Sequence, residues 1–239
     1  MLLSMCESLM RKTDLIVFDL GGTTIEDHGE VPTAFFAALN AHQIPVAESE
    51  LLQYRGRSKR EVMRLLVHKK FGVEDTGNED LVERIYGDFR KALEQQFRNR
   101  GVIPVPKAEQ VFSWLRQQRV KIALTTGFDR NLLNYIVKKL DWDKGIFDAT
   151  VCSDDVPQGR PAPFMIFRAM EATHTTNVHH VMKIGDTPVD IQAGINAGVQ
   201  TIGVLTGPYN TSDLRKENPN HIIPNIAKLP ELLEQEGYL

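Results

Sequence analysis

Asp19, Thr126, Arg160 and Asp186 are the side chains of this sequence best suited to chemistry, and each stands at or soon after the end of an apolar run. Asp19 closes Leu15-Ile16-Val17-Phe18. The residues behind it, Leu20-Gly21-Gly22-Thr23-Thr24, suit neither strand nor helix. They fit a tight loop whose backbone N–H groups approach an anion. Thr126 and Gly127 follow the run 120–124, and Arg160 lies in Gly159-Arg160-Pro161, beyond Ser153-Asp154-Asp155. Asp186 and Asp190 bracket Thr187-Pro188-Val189 after the run 178–184. Brought together, Asp19 and Asp186 offer carboxylate oxygens to a hard divalent cation, Mg²⁺ being the natural choice. Thr126, Gly127, Arg160 and the N–H groups at Gly22 and Thr23 would then hold phosphoryl oxygens while the cation offsets their charge. One carboxylate can attack phosphorus, giving an aspartyl-phosphate that water hydrolyses. Asp190, one helical turn past Asp186, is placed to orient the cation's waters or a nearby base.

Taken one at a time, these residues have structural accounts. Thr126 reads as a turn residue, Arg160 as a surface charge, and Thr187 and Pro188 as helix cap and first helical position. Their convergence argues for a site, because ligands of parallel sheets bind where the strands end. A further candidate lies in Tyr54-Arg55-Gly56-Arg57-Ser58-Lys59-Arg60-Glu61, which carries a capping box with Ser58 as cap and Glu61 three residues on. Lys59 then falls at the helix start, where the macrodipole disfavours a cation. A buried amine there can act as a nucleophile; the alternative is a solvated lysine on a charged helix face. Arg55 and Arg57 add positive charge suited to a substrate with an anionic tail.

The elements that must position these groups can be read from periodicity. Residues 15–18 and 120–124 read as buried strands, with further strands at 149–152, 178–184, 200–205 and 221–223. Helices are expected at 107–118, 131–140, 164–172, 189–197 and 228–236, and the alternation implies a parallel sheet covered on both faces. Between the first two strands the pattern is helical only, at 33–43, 48–54, 59–71 and 79–98, with Pro32 opening the first. The last of these carries Leu81, Ile85, Phe89 and Leu93 at helical spacing. Residues 103–106, Ile-Pro-Val-Pro, read as a stiff linker. The expected organisation is therefore a core of residues 1–28 and 105–239 interrupted by a helical insertion at 29–104, which leaves just after the Asp19 loop and is placed to cover it.

Composition sets the remaining bounds. A chain of 239 residues with 42% apolar and 25% charged content can bury a proper core. A net charge of −3 gives no electrostatic reason to expect nucleic acid or an acidic membrane as partner. The two cysteines, Cys6 and Cys152, lack metal-type spacing, which argues against structural zinc and for a reducing compartment. No apolar run approaches a membrane span, and residues 1–6 are too short for a signal peptide, so a frayed tail and a cytoplasmic location are expected.

On these residues the chain resembles the haloacid dehalogenase (HAD) superfamily of aspartate-nucleophile hydrolases. The resemblance implies an α/β, Rossmann-like parallel-sheet core with an inserted α-helical cap that opens and closes, and Mg²⁺ as cofactor. It makes Asp19 the nucleophile, Thr126 the hydroxyl of the second motif, Arg160 the basic third motif, and Asp186 and Asp190 the acidic fourth. Phosphatases of the superfamily carry a general-acid Asp two residues after the nucleophile. Here that position is Gly21, whose carbonyl can ligate metal but which has no proton to give. In this the chain looks like the phosphonatase (phosphonoacetaldehyde hydrolase) branch, which has a small residue there and then Gly-Thr-Thr, as in Gly22-Thr23-Thr24. Asp154-Asp155-Val156-Pro157 ahead of Gly159-Arg160-Pro161 matches as well. So does Gly56-x-x-Lys59, which by that resemblance supplies a lysine forming a Schiff base with a substrate aldehyde. An imine takes up the electrons of a breaking C–P bond, so no alkoxide needs protonating. Three positions depart from the branch: Val62 stands in place of a histidine, Phe128 of a tyrosine and Arg55 of a methionine. The implied partner is a small phosphonate or phosphorylated metabolite, with a homodimer formed through the cap. Two other readings remain open here: a phosphomonoesterase resembling phosphoglycolate phosphatases, and a phosphate-binding module without catalysis.

Overall fold

The computed structural model describes residues 13–72 and 78–239; the expected N-terminal tail and Cys6 lie outside them. Strand β1 (Leu15–Asp19) is apolar until its last residue and buried throughout, because it runs between β2 (Lys121–Thr125) and β4 (Val181–Gly185) and meets packed side chains on both faces. With β3 (Ala149–Val151), β5 (Gln200–Val204) and β6 (His221–Ile223) they form a six-stranded sheet ordered β3-β2-β1-β4-β5-β6, every pairing parallel. Helices follow the strands as the alternation requires: α5 (Ala108–Gln117), α6 (Arg130–Lys139), α7 (Phe164–Ala172), α8 (Pro188–Ala197) and α10 (Leu229–Gln235). The short α9 (Thr211–Arg215) was not expected from periodicity, although its capping box, Asn210 with Asp213, is present in the sequence.

Between β1 and β2 stand helices α1 (Glu30–Ala41), α2 (Glu48–Gln53), α3 (Lys59–Phe71) and α4 (Asn78–Arg100). Helix α4 buries Val82, Ile85, Tyr86, Phe89, Leu93 and Phe97; Ile85, Phe89 and Leu93 are where the spacing put them, and only Leu81 lies at the margin of the stripe. Each of the large apolar side chains contributes roughly 1.5–3 kcal/mol on burial, and Phe89 meets Phe35 of α1 with ring centroids 4.7 Å apart. Helix α1 starts at Glu30, ahead of Pro32. The proline sits in the first turn, where a missing N–H costs nothing.

The two connections between sheet and helices are joined. Glu26 N–H donates to the Ile103 carbonyl at 2.9 Å and Val105 N–H to that of Thr24 at 3.0 Å, with Pro104 bridged antiparallel to Ile25. The stretch read as a stiff linker is thus half of a short two-stranded tie, where Pro104 needs no N–H of its own. Two other expectations shift. Residues 178–180 form a 3-10 turn before β4, capped by Asn177, and 226–228 form one before α10. Among the described residues no helix is long and apolar enough to cross a membrane.

Candidate active site

The carboxyl ends of β1, β2 and β4 bring Asp19, Thr126 and Asp186 together, and the loop after β3 delivers Arg160 to the same place. All four are nearly excluded from solvent, at 4%, 3%, 2% and 3% exposure. Asp19, Asp186 and Asp190 have oxygens within 4.8 Å of one another. Arg160 Nη1 donates to Oδ1 of both Asp19 and Asp190.

Asp190 is saturated. Its Oδ1 also accepts from Lys183 Nζ at 3.0 Å, and its Oδ2 from the Thr187 hydroxyl at 2.5 Å and the Thr187 N–H at 3.3 Å. Burial alone would raise its pKa, yet the Arg160 and Lys183 charges hold it at about 2. Asp186 is the reverse case: burial, then the negative charges of Asp19 and Asp190, push it well above the ordinary carboxylate range. Asp19 is also raised by burial, against the pull of Arg160. Two desolvated carboxylates, with Asp186 raised further by the Asp19 charge, are a donor set that a hard divalent cation completes. Among the described residues Asp19 and Asp186 each keep an oxygen that accepts no hydrogen bond from another side chain, which fits that ion; Asp190, with both oxygens engaged, is better placed to anchor Arg160 than to ligate.

Small residues make room for this cluster. A Cβ at Gly22 would lie 2.5 Å from Asp186 Oδ2, and one at Gly207 only 1.9 Å from it. Gly207→Ala should therefore displace the Asp186 carboxylate without unfolding the protein. The expected result is roughly 10²-fold lower kcat and a 10–100-fold weaker apparent Mg²⁺ affinity at nearly unchanged Tm. A metal titration of activity checks it, and an unchanged titration curve would remove Asp186 from the metal site.

Lys59 is the first residue of α3 and is 8% exposed. Ser58 Oγ caps the helix by accepting from Glu61 N–H at 3.5 Å, but the capping box is only half made. The Glu61 carboxylate reaches instead to the N–H of Gly159, at 2.7 Å, and so ties α3 to the loop carrying Arg160. Lys59 N–H points at the Gly127 carbonyl (3.4 Å), its Nζ donates to the Arg57 carbonyl (3.1 Å), and Nζ lies 5.1 Å from the centre of the Phe128 ring. Burial foremost, then the Arg160 charge, lowers its pKa to about 8. The solvated-lysine alternative does not hold.

A cavity of about 800 Å³, its mouth included, joins these groups: Asp19, Gly21, Lys59, Thr126, Arg160 and Asp186 line it, as do Arg55, Val62 and Phe128. Gly22, Thr23, Gly127, Arg57 and Asp190 are not among the residues that line it. Donors expected to face phosphate are used inside the protein: Gly22 N–H bonds to the Ile25 carbonyl at 2.8 Å and Thr23 N–H to the Leu20 carbonyl at 3.4 Å, while the Thr23 hydroxyl donates to Asp186 Oδ1 at 2.9 Å. Arg55 is not a free cation for an anionic tail, because its Nη1 donates to Asp27 Oδ2 at 2.7 Å.

Lys183, Gly207 and Asp27 were not singled out from the sequence. Lys183 could have been: a lysine in Val181-Met182-Lys183-Ile184-Gly185 must be paired if the strand is buried. Its Nζ bonds to Asp190, to Thr125 Oγ1 at 3.1 Å and to the Ile184 carbonyl at 3.3 Å.

A family model described as haloacid dehalogenase-like hydrolase matches residues 16–204. A phosphonoacetaldehyde hydrolase of Parabacteroides distasonis is 29% identical over 95% of this chain and 97% of its own. Among solved structures, a phosphonoacetaldehyde hydrolase-like protein from Oleispira antarctica superposes with a TM-score of 0.81 at 20% identity, covering 95% of this chain and 94% of that one. A predicted phosphoglycolate phosphatase from Haemophilus somnus gives 0.76 at 20% identity, covering 93% and 99%. At such identities the structural likeness is one of fold.

Proposed function

The chain belongs to the haloacid dehalogenase-like hydrolases, in their phosphonatase-like branch, and from that premise we propose that it hydrolyses the C–P bond of phosphonoacetaldehyde or a close relative. The observation that carries this reading is the buried Lys59 amine, in the same cavity as Asp19 and with its pKa lowered to about 8. At neutral pH a useful fraction of that amine is unprotonated and able to attack an aldehyde. Lys59 adds to the carbonyl, water leaves, and a protonated imine forms. Asp19 then attacks phosphorus, and the C–P electron pair moves into the imine to give an enamine. The aspartyl-phosphate is hydrolysed to phosphate; the enamine takes a proton on carbon, and hydrolysis of the imine returns Lys59 and acetaldehyde. Arg160 and Thr126 bind and orient the phosphoryl oxygens. A divalent cation held by Asp19 and Asp186, Mg²⁺ in this reading, supplies charge neutralisation at the phosphoryl group. The glycine at position 21 is consistent with this route, since no alkoxide departs.

A second reading, hydrolysis of a small phosphate monoester, is favoured by Val62 and Phe128. Both line the cavity, and neither can move a proton near an imine. Borohydride added during turnover of phosphonoacetaldehyde separates the two. The first reading predicts an ethyl group fixed on Lys59, located by peptide mass analysis. No adduct, with turnover of phosphate esters, would establish the second.

A further inference from the structure

We infer that Glu61 is a positioning residue: its bond to the Gly159 N–H sets the start of α3 and the loop carrying Arg160 in one arrangement, so that Lys59 and Arg160 reach the substrate together. This rests on the reading of Lys59 and Arg160 as groups that act on one substrate. Glu61 is the third residue of α3, where a carboxylate ordinarily turns back to the N–H of the cap residue. The cap itself is made, because Ser58 Oγ accepts from Glu61 N–H. The carboxylate passes over that local partner and takes the N–H of Gly159, 98 residues away, at 2.7 Å. One bond thus joins the residue two past Lys59 to the residue just before Arg160.

The Arg160 loop has few other anchors on that side. The guanidinium is gripped by Asp19 and Asp190, and the Pro161 carbonyl accepts from Asn196 Nδ2 at 2.9 Å. At Gly159 the carbonyl accepts only from Ala162 N–H of the same loop, at 3.1 Å, so the bond that fixes this end from outside is the one from Glu61. The seat is close as well. A Cβ at Gly159 would stand 3.0 Å from Ser58 Cβ and 3.3 Å from Glu61 Oε1, and one at Gly127 would stand 2.7 Å from the Arg57 carbonyl oxygen. That same carbonyl accepts from Lys59 Nζ. Unseating the start of α3 would therefore loosen the Arg160 loop and let water reach the amine in one movement.

Two measurements that need neither turnover nor an imine test this. Acylation of Lys59 by acetic anhydride, followed against pH by peptide mass analysis, gives the midpoint of its titration. Calorimetry gives the affinity of the Mg²⁺-loaded protein for methylphosphonate. In Glu61→Leu the midpoint should rise from about 8 by roughly one pH unit as the amine is hydrated. Methylphosphonate should bind about five- to tenfold more weakly, the worth of one net hydrogen bond. The direction of the first shift is diagnostic, because losing a nearby carboxylate without movement lowers an amine's pKa. The charges of Arg160, Asp19, Asp27 and Asp190, which act on Lys59, are all kept. Glu61→Gln, with an acceptor oxygen but no charge, should restore the natural midpoint and most of the affinity. Gly159→Ala crowds the same contact from the loop side and should move both readings as Glu61→Leu does, so the test stands even where Glu61→Leu fails to fold. A midpoint that stays or falls, whatever the Tm, is what a merely structural tie predicts and overturns the inference. A raised midpoint at unchanged methylphosphonate affinity overturns the coupling to Arg160, and Glu61→Gln behaving as Glu61→Leu overturns the assignment to this bond. Absence of a borohydride adduct on the natural protein would bring down the C–P reading alone, leaving these outcomes to decide on Glu61.

Discussion

Lys59→Met is expected to lower kcat/KM for phosphonoacetaldehyde by roughly 10⁴-fold, the upper range for one positioned catalytic group, and at the same time to make the protein more stable. The two effects share a cause. Burial holds the amine's pKa at about 8 against an ordinary value of 10.5. Below pH 8 the folded protein keeps a cation that the unfolded chain would hold more easily. At about 1.36 kcal/mol per pH unit this strains the fold by roughly 3 kcal/mol. The penalty is fully present below pH 8 and fades as pH rises through 8 towards 10.5, so the natural protein gains stability across that window and the variant does not. Losing the Nζ bond to the Arg57 carbonyl returns about 1 kcal/mol. The net expectation at pH 7 is therefore about 2 kcal/mol, or a Tm higher by roughly 4–8 °C. Borohydride trapping on the natural protein should rise with pH to a plateau with its midpoint near 8. A lowered Tm in the variant, or a trapping rate flat between pH 6 and 9, would mean that Lys59 is not the buried, half-neutral amine required.

The fold and the meeting of Asp19, Thr126, Arg160 and Asp186 were legible because strand ends are. Leu15 to Phe18 can only be a doubly buried strand, and the residues after such a strand lie at the sheet edge where ligands bind. Lys59 was legible through its cap, Ser58, although Glu61 turned out to bond across to Gly159. Illegible were contacts that depend on two distant segments meeting. Nothing local tells that Gly207 must be small, since the reason is Asp186 packed against it. Nothing near Arg55 says that Asp27 will take its charge, so a tail-binding cation became half of a neutral pair. Gly22 and Thr23 misled for a related reason: their donors look free in the sequence but close the loop and hold Asp186. Register failed least. On α4 the apolar spacing put Ile85, Phe89 and Leu93 correctly inside, and missed only that Val82 rather than Leu81 completes the stripe.

Asp190→Asn should be among the most damaging single changes, although Asp190 does not line the cavity. The carboxylate receives Arg160, Lys183 and Thr187 in a place with no solvent exposure. Its replacement by a neutral amide leaves two buried cations sharing less negative charge, a change that typically costs about 3–5 kcal/mol. Arg160 also loses one of its two anchors, so it would settle on Asp19 alone and draw electron density from the attacking carboxylate. We expect kcat to fall at least about 10²-fold, with KM for the phosphoryl compound moving less. Instability and lost catalysis can be separated by adding Lys183→Met. This removes the second cation, and an apolar replacement for a broken buried pair often restores stability. Asp190→Asn/Lys183→Met should thus regain most of the lost Tm while kcat stays low, because Arg160 is still misplaced. Recovery of both together would mean that Asp190 serves only to neutralise Lys183 and that Arg160 needs no anchor. Recovery of neither would mean that the hydroxyl of Thr125, left without Lys183, matters more to the packing of β2 and β4 around β1 than the carboxylate does.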